Sequence, residues 1–319
     1  MKDSISKEFI FDEDGRVLKK YNGIGGEVEI PEGVISIGAF AFAGCSGLTK
    51  VIIPRSVENI GIEAFRCCIG LMEVVWNATN CAPVSDYFPI FAGCSNLTSA
   101  TFGENVETIP AYAFYRCYSL ASLIIGNRVT NIGERAFCGC NELRSIILPD
   151  GVMSVGYEAF CGSCPTSIKI GKSVESIGKD AFNGCCILLT SLTVAAGNPK
   201  YHSDGNCLIQ TAEKTLILGC KNSVIPTDGS VTRIGDYAFR NCKLTSIDIP
   251  YGVKSIGDGV FSGCYELTSI TIPDSVKNIG ECVCAYCNHI TSITIPAGVT
   301  TICDLLRIPD DSDDSDEED

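Results

Sequence analysis

Residues Ile125 to Pro149 read IGNRVTNIGERAFCGCNELRSIILP, and the apolar frame inside them decides the fold: Ile125, Val129, Ile132, Ala136, Phe137, Cys140, Leu143, Ile146 and Leu148. The same residue types return 23 residues earlier and later. One globular core has no reason to impose such a period, whereas stacked coils do, because each coil buries its face only against its neighbours. The chain is therefore expected to be a repeat solenoid with one short parallel strand per coil. In Leu267-Thr268-Ser269-Ile270-Thr271-Ile272, Ile270 and Ile272 alternate with Ser269 and Thr271, the period of a strand with one buried face.

Working outward, the Ile-Pro or equivalent marks at Ile30, Ile53, Phe102, Ile125, Leu148 and Ile170 delimit a first array, residues 30–195. Marks at Ile225, Ile249 and Ile272, with a truncated coil from Ile295 to Ile302, delimit a second, residues 225–302. Residues 1–29 read as an N-terminal cap in which Glu8 to Gly23 forms two strands around an Asp-Glu-Asp-Gly turn. Such a cap covers the apolar face and unpaired edge that a first coil would expose. Residues 196–224 repeat the cap's pattern and read as a β-hairpin insertion, with Cys207-Leu208-Ile209 and Leu216-Ile217-Leu218 as its strands. Trp76 to Pro89, rich in Asn, Pro and Ser, reads as a loop bulging from one edge. The Gly of each Val-x-x-Ile-Gly segment is expected at a turn of positive φ, and the Phe after it, from Phe42 to Phe261, is expected to plug the interior.

The formal charge is −14, but Asp310 to Asp319 hold eight acids and no base, leaving −14 + 8 = −6 for the rest. Residues 303–319 read as a disordered acidic tail, in which Ser315, followed by Asp316-Glu317-Glu318, is a possible phosphosite. Nothing resembles a basic stripe, so nucleic acid is not an expected partner. No apolar run approaches the roughly 18 residues that span a membrane. The start, MKDSISKEFIFDEDG, lacks a signal-peptide pattern, so a cytoplasmic location is the default expectation.

Nine of the 20 cysteines follow the Phe position by three residues: Cys45, Cys68, Cys94, Cys117, Cys140, Cys185, Cys242, Cys264 and Cys287. They are expected to form a column of buried reduced thiols. Parallel Cβ vectors on coils about 4.8 Å apart fit disulfide geometry poorly. Cys161-x-x-Cys164 and Cys282-x-Cys284-x-x-Cys287 have metal-ligand spacing, yet are read as part of that packing, so no metal or other cofactor is expected. Catalytic groups are scarce. His202 lies in Tyr201-His202-Ser203-Asp204, read as a loop, and His289 at a variable repeat position. Triads are assembled in space from separate segments, so a hydrolase is the weakest reading.

The frame I-P-x-x-V-x-x-I-G-x-x-A-F-x-x-C-x-x-L-x-x-I, with Ala64-Phe65, Ala113-Phe114, Ala136-Phe137, Ala159-Phe160, Ala181-Phe182 and Ala238-Phe239 nearly verbatim, resembles the BspA-like leucine-rich repeats of bacterial surface proteins and some parasitic protists. The resemblance covers residues 8 to 302. It implies a right-handed leucine-rich-repeat coil and a non-catalytic adhesin-like or protein-binding scaffold at the cell surface. Where such repeats usually carry outward Thr, as at Thr101, Thr193, Thr271 and Thr294, this chain has Ile52, Val75, Ile124 and Ile147 in its first array. That apolar stripe, with Lys50 and Glu73 beside it, marks the expected contact surface for a protein or cell-surface ligand, or for a second copy of the chain.

Overall fold

The computed structural model describes residues 8–83, 89–299 and 301–302; Ser315, the acidic tail and residues 84–88 lie outside them. The fold is a parallel β-solenoid of about 12 turns with almost no helix. It falls into two compact units, one comprising Met1–Cys164 with Ile170–Phe182, the other Pro165–Lys169 with Asn183–Asp319.

In the first unit the strands Gly26–Glu29, Leu48–Ile53, Glu73–Trp76, Ser99–Phe102 and Ser122–Ile124 form one parallel sheet. Their alternation places Val51, Val74 and Ala100 inside and Ile52, Val75 and Thr101 outside. A second ladder, not anticipated from the sequence, is built from the two residues that end each Val-x-x-Ile segment. Ser36–Ile37, Asn59–Ile60 and Ala82–Pro83 pair in parallel, as do Thr108–Ile109, Asn131–Ile132, Ser154–Val155 and Ser176–Ile177. The Ala-Phe turns add a third line of bonds: Phe42, Phe114 and Phe137 amides donate to the carbonyls of Ala64, Ala136 and Ala159 at 2.7–2.8 Å. Neighbouring coils are thus tied on up to three sides, with the strand ladder interrupted between Ser122–Ile124 and Ser145–Ile147, which lie in different sheets.

The expected Phe plugs are all buried, and their rings stack along the unit axis. Successive centroids from Phe42 through Phe65, Phe91, Phe114, Phe137, Phe160 and Phe182 lie 4.7–5.7 Å apart. The cap is an antiparallel hairpin of Phe9–Phe11 and Val17–Tyr21, and its Tyr21 ring extends the stack 5.0 Å beyond Phe42. Beneath the rings, the thiols of Cys68, Cys94 and Cys140 donate to the Phe42, Phe65 and Phe114 carbonyls of the preceding coil, at 3.0–3.4 Å. In the second unit Cys264 and Cys287 bond Phe239 and Phe261 in the same way. All nine column positions are buried except the half-buried Cys45, and the 19 described cysteines are free thiols.

Four readings are corrected. The repeating Gly does not adopt positive φ; it is required by close approach, since a Cβ on Gly156 would sit 2.6 Å from the Glu134 backbone nitrogen. Positive φ falls instead two residues before the Phe, at Glu63, Tyr112, Arg135, Glu158 and Tyr237, and two residues after it, at Cys67, Arg116 and Asn241. Trp76 and Ala82–Pro83 hold ladder positions, so the segment read as a loop keeps its place in the stack until residue 83. Tyr201–Asp204 is a strand rather than a loop and pairs antiparallel with Cys207–Gln210; the predicted hairpin, Cys207–Gln210 with Thr215–Leu218, thereby gains a third strand. Cys161 and Cys164 are outside the thiol column, whose place in that coil is taken by Ser163, donating to the Phe137 carbonyl at 3.2 Å.

Two measurements follow from this packing. Phe137→Ala should cost about 3–5 kcal/mol in urea denaturation by leaving a cavity in the stack, and Gly156→Ala should also destabilise, although Ala is ordinarily the better residue away from turns. Burial pushes the Cys45 thiol up to about 11 and those of Cys81 and Cys207 to about 12, from an ordinary value of 9.0. Thiols released by unfolding ionise first. The contribution is therefore intact below about pH 9 and lost as pH rises through the folded values, so the urea midpoint should fall across that window. In the same reduced protein, alkylation should mark the exposed Cys67 early and the buried column only after denaturation.

Candidate functional site

The parallel register of the first unit's sheet turns single outward residues into continuous rows. Glu29, Ile52, Val75, Thr101 and Ile124 are consecutive partners across five strands. Ile147 comes one repeat on, in Ser145–Ile147, a strand that belongs to a separate three-stranded sheet. Ile124 and Ile147 are each 56% exposed, whereas Ile52 and Val75 are half-buried among their neighbours. Thr101 interrupts the apolar row at its middle. Isolated β-branched residues suit any strand, but exposed ones aligned across coils form a surface that water solvates poorly.

The neighbouring row, two residues earlier, is Glu27, Lys50, Glu73, Ser99 and Ser122. Lys50 Nζ lies 3.3 Å from Glu27 and 3.4 Å from Glu73, a bridge spanning three coils. Hydrogen bonding to Glu27, reinforced by both carboxylate charges, holds the Lys50 ammonium above its ordinary range. Lys50 is thus engaged within the face, not presented as a free cation. With Glu29, three carboxylates face one ammonium here, a local net charge of −2. Met72, 50% exposed and next to Glu73, adds a flexible apolar side chain that the strand pattern alone does not single out. In the second unit the corresponding rows are Ser269 and Ser292 beside Thr271 and Thr294, polar throughout. Thr193 stands in that unit's strand Ser191–Val194.

The groups considered for catalysis are not brought together. His202 and Ser203 project from opposite faces of one strand. His202 Nδ1 is 2.9 Å from Thr211 Oγ1, and Ser203 Oγ accepts from the Val194 amide at 2.9 Å. His289 is exposed. Cys284 stands in the Phe position and Cys287 in the thiol column, both buried. Among the described residues no helix is long and apolar enough to cross a membrane.

The comparisons agree with this architecture. The BspA type leucine rich repeat region matches in six copies, over residues 25–125, 84–190 and 216–306. A leucine rich cell surface protein from Faecalibacterium prausnitzii is similar in structure, with a TM-score of 0.56 and 26% identity over 92% of this chain and 88% of that one. A leucine-rich repeat protein from Eubacterium ventriosum shares the fold, with a TM-score of 0.63 and 20% identity over 91% of this chain and 68% of that one. No curated protein matches the sequence. With repeats of one type covering most of its length, the chain belongs to the BspA type leucine rich repeat family.

Proposed function

We propose that the chain is a non-catalytic repeat scaffold whose first-unit sheet face binds a protein. The in-register row Ile52, Val75 and Ile124, with the equally exposed Ile147 one repeat on, carries the reading. Its charge suggests the partner's character. An apolar stripe beside an acidic cluster of Glu27, Glu29 and Glu73 complements an apolar ridge flanked by Lys or Arg, with charge guiding encounter and desolvated apolar contacts supplying most of the affinity.

Two observations bear on location and point different ways. The similar Faecalibacterium prausnitzii protein is described as a cell surface protein, which favours surface display. The column's thiol-to-carbonyl hydrogen bonds, at Cys68, Cys94 and Cys140 among others, favour a reducing compartment. Surface proteolysis of intact cells, with a free-thiol count on the denatured protein, separates the two.

The binding test is a cross-linking pull-down comparing the wild type with Ile124→Asp and Ile147→Asp, with Thr271→Asp in the other unit as control. Both first-unit substitutions should abolish capture of a common partner without lowering the melting temperature, while the control retains it. Capture unchanged in both would remove the face from consideration. Concentration-dependent mass that the same two substitutions abolish would identify the partner as a second copy of the chain.

A further inference from the structure

Outside the sheet face, the turns before and after the Phe spine hold a cluster the repeat pattern does not require. The residue after the Phe is Ala43, Arg66, Ala92 or Tyr115 in earlier coils, but Cys138 and Cys161 in two consecutive ones. The amides of Phe137 and Gly139 donate to the carbonyls of Ala159 and Cys161, both at 2.8 Å, and pin the two turns together on either side of Cys138. Glu158, at one of the positive-φ positions, completes the group. One ligand atom from each of Cys138, Glu158 and Cys161 lies within 4.8 Å of the others, and all three residues are half-buried, hence both shielded and reachable.

We propose that Cys138, Cys161 and Glu158 bind a borderline-soft divalent cation of the Zn2+ class. Geometry, an outer partner and charge all favour it. Tetrahedral coordination at a Zn–S distance of about 2.3 Å places two sulfurs about 3.8 Å apart. In-register thiols on successive coils therefore need only a small adjustment, whereas a disulfide needs their Cβ atoms drawn to about 3.8 Å against a fixed ladder spacing. The carboxylate is already oriented: Arg135 Nε donates to Glu158 Oε2 at 2.7 Å, while the guanidinium lies over the rings of Tyr157 and Tyr112. Such an outer partner is what fixes a ligating carboxylate. Finally, the charges balance. Two thiolates and one carboxylate, −3, with Arg135, +1, sum to −2, which a divalent cation neutralises. Three protein donors leave a fourth position for water. The pairing that matters is thus between coils, Cys138 with Cys161, and not the Cys161-x-x-Cys164 spacing visible in the sequence.

The test is titration of the full, reduced chain with Co2+ as a spectroscopic probe, followed by displacement with Zn2+. A thiolate-to-cobalt charge-transfer absorption saturating at one equivalent is expected, abolished by Cys138→Ser and by Cys161→Ser and retained by Cys67→Ser and Cys164→Ser. Glu158→Gln should keep the absorption but shift half-saturation to higher Co2+. Because a misfolded serine variant would also lose the absorption, Zn2+ protection of Cys138 and Cys161 from alkylation, mapped by peptide mass in the wild type, is measured alongside. Absence of the absorption, its persistence in both serine variants, or unchanged alkylation at the two cysteines overturns the proposal.

Discussion

Everything in this structure depends on one spacing. Coils joined by parallel backbone ladders on up to three sides are held about 4.8 Å apart, and each side chain must then tolerate a copy of itself, or a close substitute, at that distance. Phe satisfies the condition by ring stacking, with interplanar angles of 13–23° for every successive pair from Phe42 to Phe160. Cysteine satisfies it differently. Its small thiol fills the space below the ring and donates a weak bond to the carbonyl one coil back, at Cys68, Cys94, Cys264 and Cys287 alike. Ser163 makes the same bond in its own coil, so the position needs a small donor and not sulfur itself.

The period made the fold legible, because the Phe, Cys and Ile positions report burial directly. What it concealed was backbone conformation. Glycine recurs after Ile in most coils and invites a turn reading, yet Gly156 and Gly178 are there because the neighbouring coil's backbone leaves no room for a Cβ. The left-handed residues, Glu63, Tyr112, Arg135 and Glu158 among them, carry ordinary side chains and leave no mark in composition. The second ladder escaped for a related reason: a strand of two residues, such as Asn131–Ile132, is too short to show alternation.

The candidate binding face was legible to the extent that it obeys the strand period. Ile52, Val75 and Ile124 fall in one row, as their spacing implied, but spacing cannot distinguish the half-buried Ile52 from the largely exposed Ile124. Nor does it reveal that Lys50 is engaged by carboxylates from the coils on both sides. The cysteine cluster was hidden further still, since its members belong to adjacent coils and are related by register, a property that no local motif records.

Register also bears on how such a chain changes over generations. Because Tyr21 of the cap meets Phe42 as one Phe ring meets the next, the end of the stack is interchangeable with its interior. Gain or loss of a whole 23-residue coil lengthens or shortens the outward rows by one step and leaves every contact type in place, whereas gain or loss of one residue breaks the ladders of a coil at once. Length variation in this architecture is therefore quantised in whole coils, and the extent of the outward sheet face can change separately from its chemistry.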